Sequence, residues 1–238
     1  MKKLFIVFMI GIIFVITACS GNESKQEVLE KALQSPDQVE SYFADFGIDI
    51  DIKSDIANDS STMNGQVTLI EDPIAIHQLF SSKQEGTETS TEIYRVQDEA
   101  FVKQGEGAWT EQPVTSEMAN FEPDYETVVS VLENVEELVE FDNSGDTYQI
   151  SYSGFDQSIY DAFEGPFSVQ LTGFRVDEDV TLELVIDIHQ QDHYIENLDY
   201  TIFAESGNNE LEMNISLEYD QVNEIEDIEI PEEVQTGI

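Results

Sequence analysis

The sequence predicts a mainly β protein with a few helices, of the α+β class, with about ten strands. Apolar and polar residues alternate with a period of two through most of the chain, which is typical of strands with one dry face. One stretch in the middle changes to the three- and four-residue spacing of a helix. Strands with one wet face do not form a parallel sheet that is covered on both sides. They therefore form either a sandwich or one strongly curved antiparallel sheet whose concave face is covered by the helices.

The alternation is most regular in the first predicted strand. There, large apolar side chains share one face and acidic side chains occupy much of the other. The apolar residues of this strand are Phe46, Ile48, Ile50 and Ile52. The same pattern predicts strands at residues 67–70, 74–80, 89–96, 100–104, near Trp109, and at residues 148–152, 167–171, 180–188, 198–202 and 211–219. The acidic tail, residues 224–233, is expected along the edge of the domain.

The best predicted helix lies between the two groups of strands, at residues 125–139. Apolar residues recur there every three or four positions, and Pro123-Asp124 precedes the first turn. Shorter helices are predicted at residues 27–33 and 156–163. The helices together supply only about thirty residues, which is little to cover a ten-stranded sheet. Either a gap remains between sheet and helices and binds an apolar ligand, or large side chains fill this space.

The charge of the chain excludes one class of function. Its 238 residues include 51 Asp and Glu against 9 Lys and Arg, a formal net charge of −42. A nucleic-acid binder is excluded because so negative a surface repels phosphates. Hydrophobic residues at 40% and aromatic residues at 10% are too frequent for a disordered acidic tail, so a folded core is predicted. The single Cys excludes an intramolecular disulfide.

The N-terminal segment has the pattern of an export signal. Lys2 and Lys3 precede an apolar stretch, residues 4–16, which spans about 20 Å as a helix and is too short for the roughly 30 Å hydrocarbon core of a membrane. The segment ends in Ile16-Thr17-Ala18-Cys19, which resembles the lipobox of bacterial lipoproteins. The resemblance implies cleavage before Cys19 and acylation of its sulfur. The alternative is an ordinary signal peptide that contains a Cys.

These features predict the organisation and the location of the chain. Residues 1–18 are expected to be a lipoprotein signal peptide, residues 19–25 a flexible tether and residues 26–238 a single domain. Acyl chains on Cys19 would anchor the protein stably to a membrane. The predicted location is therefore the extracytoplasmic face of the cell membrane.

Sequence motifs for catalysis, metal binding and cofactor binding are missing. No nucleophile elbow, zinc-protease motif, phosphate-binding loop or dinucleotide fingerprint occurs. His189 and His193 have the i, i+4 spacing of metal ligands, but Gln190-Gln191-Asp192 between them is typical of a hairpin turn. Residues 142–146 begin like a calcium-binding loop, yet Thr147 stands where such a loop has Gly, so a turn is predicted. We therefore predict no catalytic, metal or cofactor site and no enzyme activity.

Short segments of the mature chain resemble a family of uncharacterised Gram-positive lipoproteins. They include Ser41-Tyr42-Phe43, Asp72-Pro73-Ile74-Ala75-Ile76-His77, Gly107-Ala108-Trp109 and Ile228-Glu229-Ile230-Pro231-Glu232-Glu233. That family is similar in fold to the Lol-type lipoprotein carriers and the mycobacterial LppX/LprG lipoproteins. The resemblance implies a single curved antiparallel half-barrel sheet of about ten strands, covered by a few helices, with an apolar cavity that holds acyl chains.

The resulting hypothesis is a non-enzymatic lipoprotein that binds a lipid or another apolar ligand between the sheet and the 125–139 helix. The candidate lining residues are Phe46, Ile48, Ile50, Leu132 and Val135. Arg95 alternates in phase with Ile93, so it either meets an anionic headgroup at the cavity mouth or pairs with a surface carboxylate. The rival hypothesis is an acidic interaction module with a filled core, which recruits a basic protein partner or cations at the envelope.

Overall fold

The alternating residues form one antiparallel sheet. The computed structural model describes residues 23–55, 58–114, 123–167 and 171–236. The strands in this part of the chain are β1 Ser41–Lys53, β2 Asn58–Ile70, β3 Ala75–Gln84, β4 Thr87–Val96, β5 Glu99–Gln104, β6 Thr110–Gln112, β7 Glu140–Asp142, β8 Thr147–Gly154, β9 Val180–His189, β10 Ile195–Ser206 and β11 Asn209–Asp220. Their order is β6-β5-β4-β3-β2-β1-β11-β10-β9-β8-β7, and the sheet is open and curved. The predicted single curved antiparallel sheet is confirmed, and the sandwich is wrong.

The first strand lies at the centre of this sheet. β1 pairs with β2 on one side and with β11, the last strand, on the other. The chain therefore runs outward from β1 to the edge strand β6, passes through helices to the other edge strand, β7, and returns to β11. The register of β1 places Tyr42 opposite Leu69, and Ala44 opposite both Val67 and Tyr219. All five side chains are buried, so this face of the sheet is the one that carries the core.

Five short α-helices accompany the sheet in the described residues. They are α1 Lys25–Ala32, α2 Tyr125–Ser130, α3 Gln157–Phe167, α4 Val176–Asp179 and α5 Glu232–Thr236, with 3-10 turns at Ser35–Gln38 and Val131–Asn134. Side chains of α1, α2 and α3 share one buried cluster with the concave face of the sheet. No helix in the described parts of the chain is both long enough and apolar enough to cross a membrane.

The predicted 125–139 helix is shorter than its apolar pattern indicates. Its α-helical part ends at Ser130, a 3-10 turn covers Val131–Asn134, and further turns lead to β7. Val128, Val129 and Val131 are β-branched, which lowers their helix propensity. Val131 and Leu132, which are adjacent in the 3-10 turn, are both buried.

The prediction of a strand at residues 167–171 is wrong, because neither Phe167 nor Leu171 lies in a strand. Phe167 is the last residue of α3, Leu171 is irregular, and Val169 lies outside the described residues. Phe163 and Phe167, four residues apart, stack with their ring centroids 5.8 Å apart. Four-residue spacing on one side is the period of a helix, and the shorter helix predicted at 156–163 therefore continues to Phe167.

Other boundaries also move, and the start of β2 moves the most, from residue 67 to residue 58. β2 and β3 extend beyond the predicted 67–70 and 74–80, because polar residues pair across the hairpin where no apolar alternation marks them. Trp109 lies immediately before β6. In the acidic tail, Ile228 and Val234 are buried, so this segment is fixed to the domain.

The two ends of the sheet carry different turns. We call the end with the turns at residues 97–98 and 190–192 the lower end, and the end with the turns at residues 85–86 and 207–208 the upper end. Tyr125 at the start of α2 lies near the lower end, because its ring centroid is 6.1 Å from that of Tyr42 and its hydroxyl accepts a hydrogen bond from the backbone N–H of Ile195.

Candidate apolar site on the concave face

The concave face becomes more exposed from the lower to the upper end of β1. The inward-facing side chains of Tyr42 and Ala44 are 1% and 0% exposed. Phe46 and Ile48 are half-buried, whereas Ile52 near the upper end is 39% exposed. An apolar face that reaches solvent in this way is unusual on a soluble domain and is typical of a binding surface.

Neighbouring strands extend this apolar surface. The register places Met63 opposite Ile48, Met213 opposite Ile50, and Leu211 opposite Ile52. Phe80 joins them across Gly65 of β2. We call this surface the open strip, and its residues are Phe46, Ile48, Ile50, Ile52, Met63, Phe80, Leu211 and Met213.

A glycine shapes the middle of the open strip. Gly65 lies opposite both Phe46 and Phe80. The Phe46 ring lies directly over Gly65, since a Cβ atom at that position would be 1.9 Å from Cε1 of Phe46. The Phe46 and Phe80 rings meet edge to face with their centroids 5.6 Å apart. The two rings therefore form an aromatic floor across β1, β2 and β3.

The predicted lining residues fall in two places. Phe46, Ile48 and Ile50 belong to the open strip, but Leu132 and Val135 are 0% exposed inside the core. A side chain that a water-sized probe does not touch has no water-sized void beside it. The space between the sheet and the 131–135 segment is therefore filled by side chains, and apolar surface remains accessible only further towards the upper end of β1.

Arg95 lies on the concave face, as its phase predicts, but near the lower end. It is opposite Ile76 of β3 and Ala100 of β5. Its Nε donates a hydrogen bond of 3.2 Å to the carbonyl of Gln97 in the adjacent turn. This position is remote along the strands from Ile50 and Ile52, so Arg95 does not stand at the open strip.

Polar residues lie at the upper ends of the same strands, mainly on the convex face. Lys53 pairs with Glu210 through an Nζ–Oε2 distance of 3.1 Å, and this carboxylate raises the pKa of the lysine. Asn58, Thr62 and Lys83, which share the convex face with Leu79, line a shallow cleft there of about 400 Å³ together with the turn at residues 85–86. This cleft and the open strip therefore lie on opposite faces of the sheet.

His189 and His193 flank a turn at the lower end. Residues 190–192 form the predicted hairpin turn between β9 and β10, and Nδ1 of His189 is 3.2 Å from the Asp192 carboxylate. Asp142 is followed by a turn in which its carboxylate accepts a hydrogen bond from the N–H of Ser144. Hydrogen bonds from the side chain and the backbone of Ser144 lower the pKa of Asp142. Within the described residues, no three His, Cys, Asp or Glu side chains converge as metal ligands.

The sequence predicts the shared face of the β1 residues in the open strip, but it does not identify the residues on the other strands. Met63, Phe80, Leu211 and Met213 were not singled out, although Phe80, Leu211 and Met213 stand in predicted strands. Alternation in phase with the core residues of each strand indicates their face, but only the register places them beside Ile48 and Ile50. Met63 follows a run of polar residues, so no apolar pattern marks it.

A family model described as a family of unknown function (DUF6612) matches residues 24–237. The chain belongs to this family. The match spans every described helix and strand of the DUF6612 chain, from α1 to α5. No protein with a curated function matches the sequence.

Solved structures match this DUF6612 chain only with low sequence identity and low TM-scores. A DUF1329 family protein from Desulfovibrio piger has 12% identity and a TM-score of 0.27, covering 82% of this chain and 92% of that chain. A putative outer membrane lipoprotein-sorting protein domain from Vibrio parahaemolyticus has 10% identity and a TM-score of 0.27, covering 83% and 94%. Rv2717c from M. tuberculosis has 12% identity and a TM-score of 0.25, covering 79% and 97%. Overlaps at this level assign no function to the DUF6612 chain.

Proposed function

We propose that this protein is a lipid-anchored lipoprotein on the extracytoplasmic face of the cell membrane. It binds an acyl chain or a similar apolar ligand on the open strip and does not convert that ligand chemically. The observation that carries the proposal is the open strip itself, where apolar side chains that face the core at the lower end stay accessible at the upper end. The ligand site differs from the one expected from sequence, because Leu132 and Val135 lie in filled core.

The chemistry of the open strip suits a flexible apolar chain. It contains aromatic, aliphatic and methionine side chains and no charged group. Methionine adapts its shape to irregular apolar ligands, and aromatic rings supply a rigid surface. Each CH₂ group of an acyl chain that leaves water contributes about 0.8 kcal/mol, so a few buried CH₂ groups are enough for measurable binding.

The proposed anchor at Cys19 is needed because the charge of the domain opposes attachment. Removal of residues 1–18 leaves 7 basic and 51 acidic residues, a formal charge of −44. Such a domain is repelled by an anionic membrane surface, so the acyl chains on Cys19 must supply the attachment. Cys19 itself lies outside the described residues.

The filled core beneath α2 favours a second function. Because Val128, Leu132 and Val135 leave no accessible space, the protein would then be an acidic interaction module whose carboxylates recruit a basic partner. Binding of that kind weakens steeply with salt, whereas binding on the open strip does not.

Replacing Met63 by Glu is expected to weaken binding of a fluorescent fatty acid by about tenfold or more. Burial of a Met side chain contributes about 1.5–3 kcal/mol, and about 1.4 kcal/mol corresponds to a factor of ten in affinity. A carboxylate at this position also repels the fatty-acid headgroup or must be desolvated beneath its chain. The measurement is a titration of the soluble domain, residues 20–238, with dansyl-undecanoic acid.

Leu79→Glu is the matched control for this substitution. Leu79 is 41% exposed and Met63 is 39% exposed, but Leu79 points to the convex face. The proposal requires that Leu79→Glu bind the probe like the parent. Equal loss in both variants, or no loss in either, would contradict the assignment of the open strip.

Native mass spectrometry of the same soluble domain separates the two functions. A lipid that co-purifies in stoichiometric amount, and that is absent from Met63→Glu, is the result expected for a lipid-binding protein. A mass without ligand, unchanged after incubation with membrane lipids, would favour the acidic interaction module.

A further inference from the structure

The first described residue is fixed to the lower end of the sheet. One carboxylate oxygen of Glu23 lies 2.7 Å from Nε2 of His193, which is buried in the turn before β10. The other oxygen accepts a hydrogen bond from Nζ of Lys31. These two bonds lower the pKa of Glu23, so it is ionised at neutral pH and holds both partners.

The residues that follow are held as well. Ser24 caps α1 in a capping box with Glu27, so the helix starts at a defined residue. Nζ of Lys25 donates hydrogen bonds to the carbonyls of Glu136 and Val139, at 2.7 and 3.1 Å. The chain is therefore fixed from Glu23 onward, since in the last part of the predicted tether Ser24 caps α1 and Lys25 begins it.

The tether that remains is short. Four peptide units separate Cys19 from Glu23, and a chain extends by at most about 3.6 Å per residue. The length of the chain alone therefore limits the distance between Cys19 and Glu23 to about 14 Å. Glu23 itself touches His193, so an acylated Cys19 keeps the turn at residues 190–192 close to the bilayer.

Repulsion between the acidic domain and anionic lipid headgroups bears on the orientation of the tethered domain. If the sheet lay flat on the membrane, many of its carboxylates would approach the anionic lipid headgroups. An upright domain brings close only the carboxylates of the lower end, such as Asp72, Asp98 and Asp192. The upper end is then remote, because the ten residue steps from Ile195 to Glu205 along β10 span about 34 Å.

We propose that the acylated protein stands upright on the bilayer, with the 190–192 turn facing the lipid surface and the open strip towards the remote end of the concave face. This orientation rests on the proposed anchoring at Cys19. Its consequence is that the open strip does not take a lipid directly from the membrane that anchors the protein. The ligand must arrive from the outer side, presented in solution, by a carrier or by another surface.

The experiment uses the acylated chain in vesicles of phosphatidylcholine and phosphatidylglycerol that contain a lipid with a nitroxide headgroup. Gln191→Cys in the lower turn and Glu205→Cys near the upper end each supply a single free thiol for a fluorophore, because Cys19 is blocked by its acyl chain. We expect the fluorophore at position 191 to be quenched at least threefold more strongly than the one at position 205. A ten-residue Gly/Ser insertion after Ser20 should reduce this contrast towards one, because a long tether no longer orients the domain.

The outcomes separate the orientation from the anchoring. A chain that does not float with the vesicles overturns the anchoring and the orientation together. A chain that floats but shows equal quenching at both positions, or stronger quenching at position 205, overturns the orientation alone. An inserted variant that keeps the full contrast overturns the short tether as its cause.

Discussion

Replacing Phe163 by Ala is expected to lower the free energy of unfolding by about 3–5 kcal/mol, the usual cost of removing a buried Phe side chain. Phe163 is fully buried on α3, and its ring stacks on that of Tyr200 in β10 with centroids 4.0 Å apart and an angle of 17° between the planes. The Ala variant removes this contact and leaves a void over β10. In a domain of this size the melting temperature should fall by about 6–20 °C.

Phe203→Ala provides the comparison for this substitution. Phe203 lies on β10 three residues from Tyr200, but its neighbours Ile202 and Ala204 point inward, so Phe203 is on the convex face and is only partly buried. We expect a loss of about 1 kcal/mol or less. Urea denaturation of the two variants measures the difference. Equal losses would show that α3 does not hold the sheet through the Phe163–Tyr200 contact.

Replacing Tyr125 by Phe is expected to cost about 1–3 kcal/mol, although it removes a single oxygen atom. That oxygen accepts a hydrogen bond of 3.0 Å from the backbone N–H of Ile195 and is 2.8 Å from Oγ of Ser35. The Ser35 hydroxyl donates to the carbonyl of Ala32, so the Tyr125 hydroxyl donates to Ser35. Burial raises the pKa of Tyr125 to about 12, which keeps the donor proton in place at neutral pH.

This chain of hydrogen bonds joins three separate parts of the sequence at the lower end. The 3-10 turn after α1, the start of α2 and the start of β10 all bond to one another through Tyr125. Without the hydroxyl, the buried N–H of Ile195 has lost its acceptor, and this unmet donor accounts for the expected cost.

Tyr219→Phe tests the same chemical change where no bond is lost. The ring of Tyr219 meets that of Tyr125 edge to face at 5.0 Å, yet its buried hydroxyl has no hydrogen-bond partner among the described residues. Burial raises the pKa of Tyr219 well above its usual value, so the neutral hydroxyl persists. We expect Tyr219→Phe to leave the free energy of unfolding unchanged or to raise it by up to about 1 kcal/mol. A larger loss in Tyr219→Phe than in Tyr125→Phe would contradict the hydrogen-bond assignment.

Much of the fold follows from local patterns in the sequence. The strands around Ile48, Ile93, Ile186 and Ile215 are marked by alternation that a pleated sheet with one dry face requires. Prediction failed where the local pattern was ambiguous. The stretch at residues 167–171 alternates like a strand, but Phe167 continues the helical face of Phe163, and contact with the sheet decides between the two.

The candidate site was predictable only in part. Phe46, Ile48 and Ile50 were identified from their shared face, since side-chain direction in a strand depends on residue number alone. Leu132 and Val135 have the same apolar character, but the depth at which they are buried depends on how the 131–135 turn packs on the sheet. No pattern along the chain reports that depth.

The sequence by itself determined the class of the fold, the acidic surface, the inward-facing residues of each strand and the expectation of a lipid anchor at Cys19, because period, charge and a short motif are local properties. Tertiary structure alone decided that β1 pairs with β11, that Met63 and Met213 complete the open strip, and that the core beneath α2 is filled. It also decided that Glu23 is bound to His193 across 170 residues. Register and packing join residues that are distant in the chain, and that information exists only once the strands have paired.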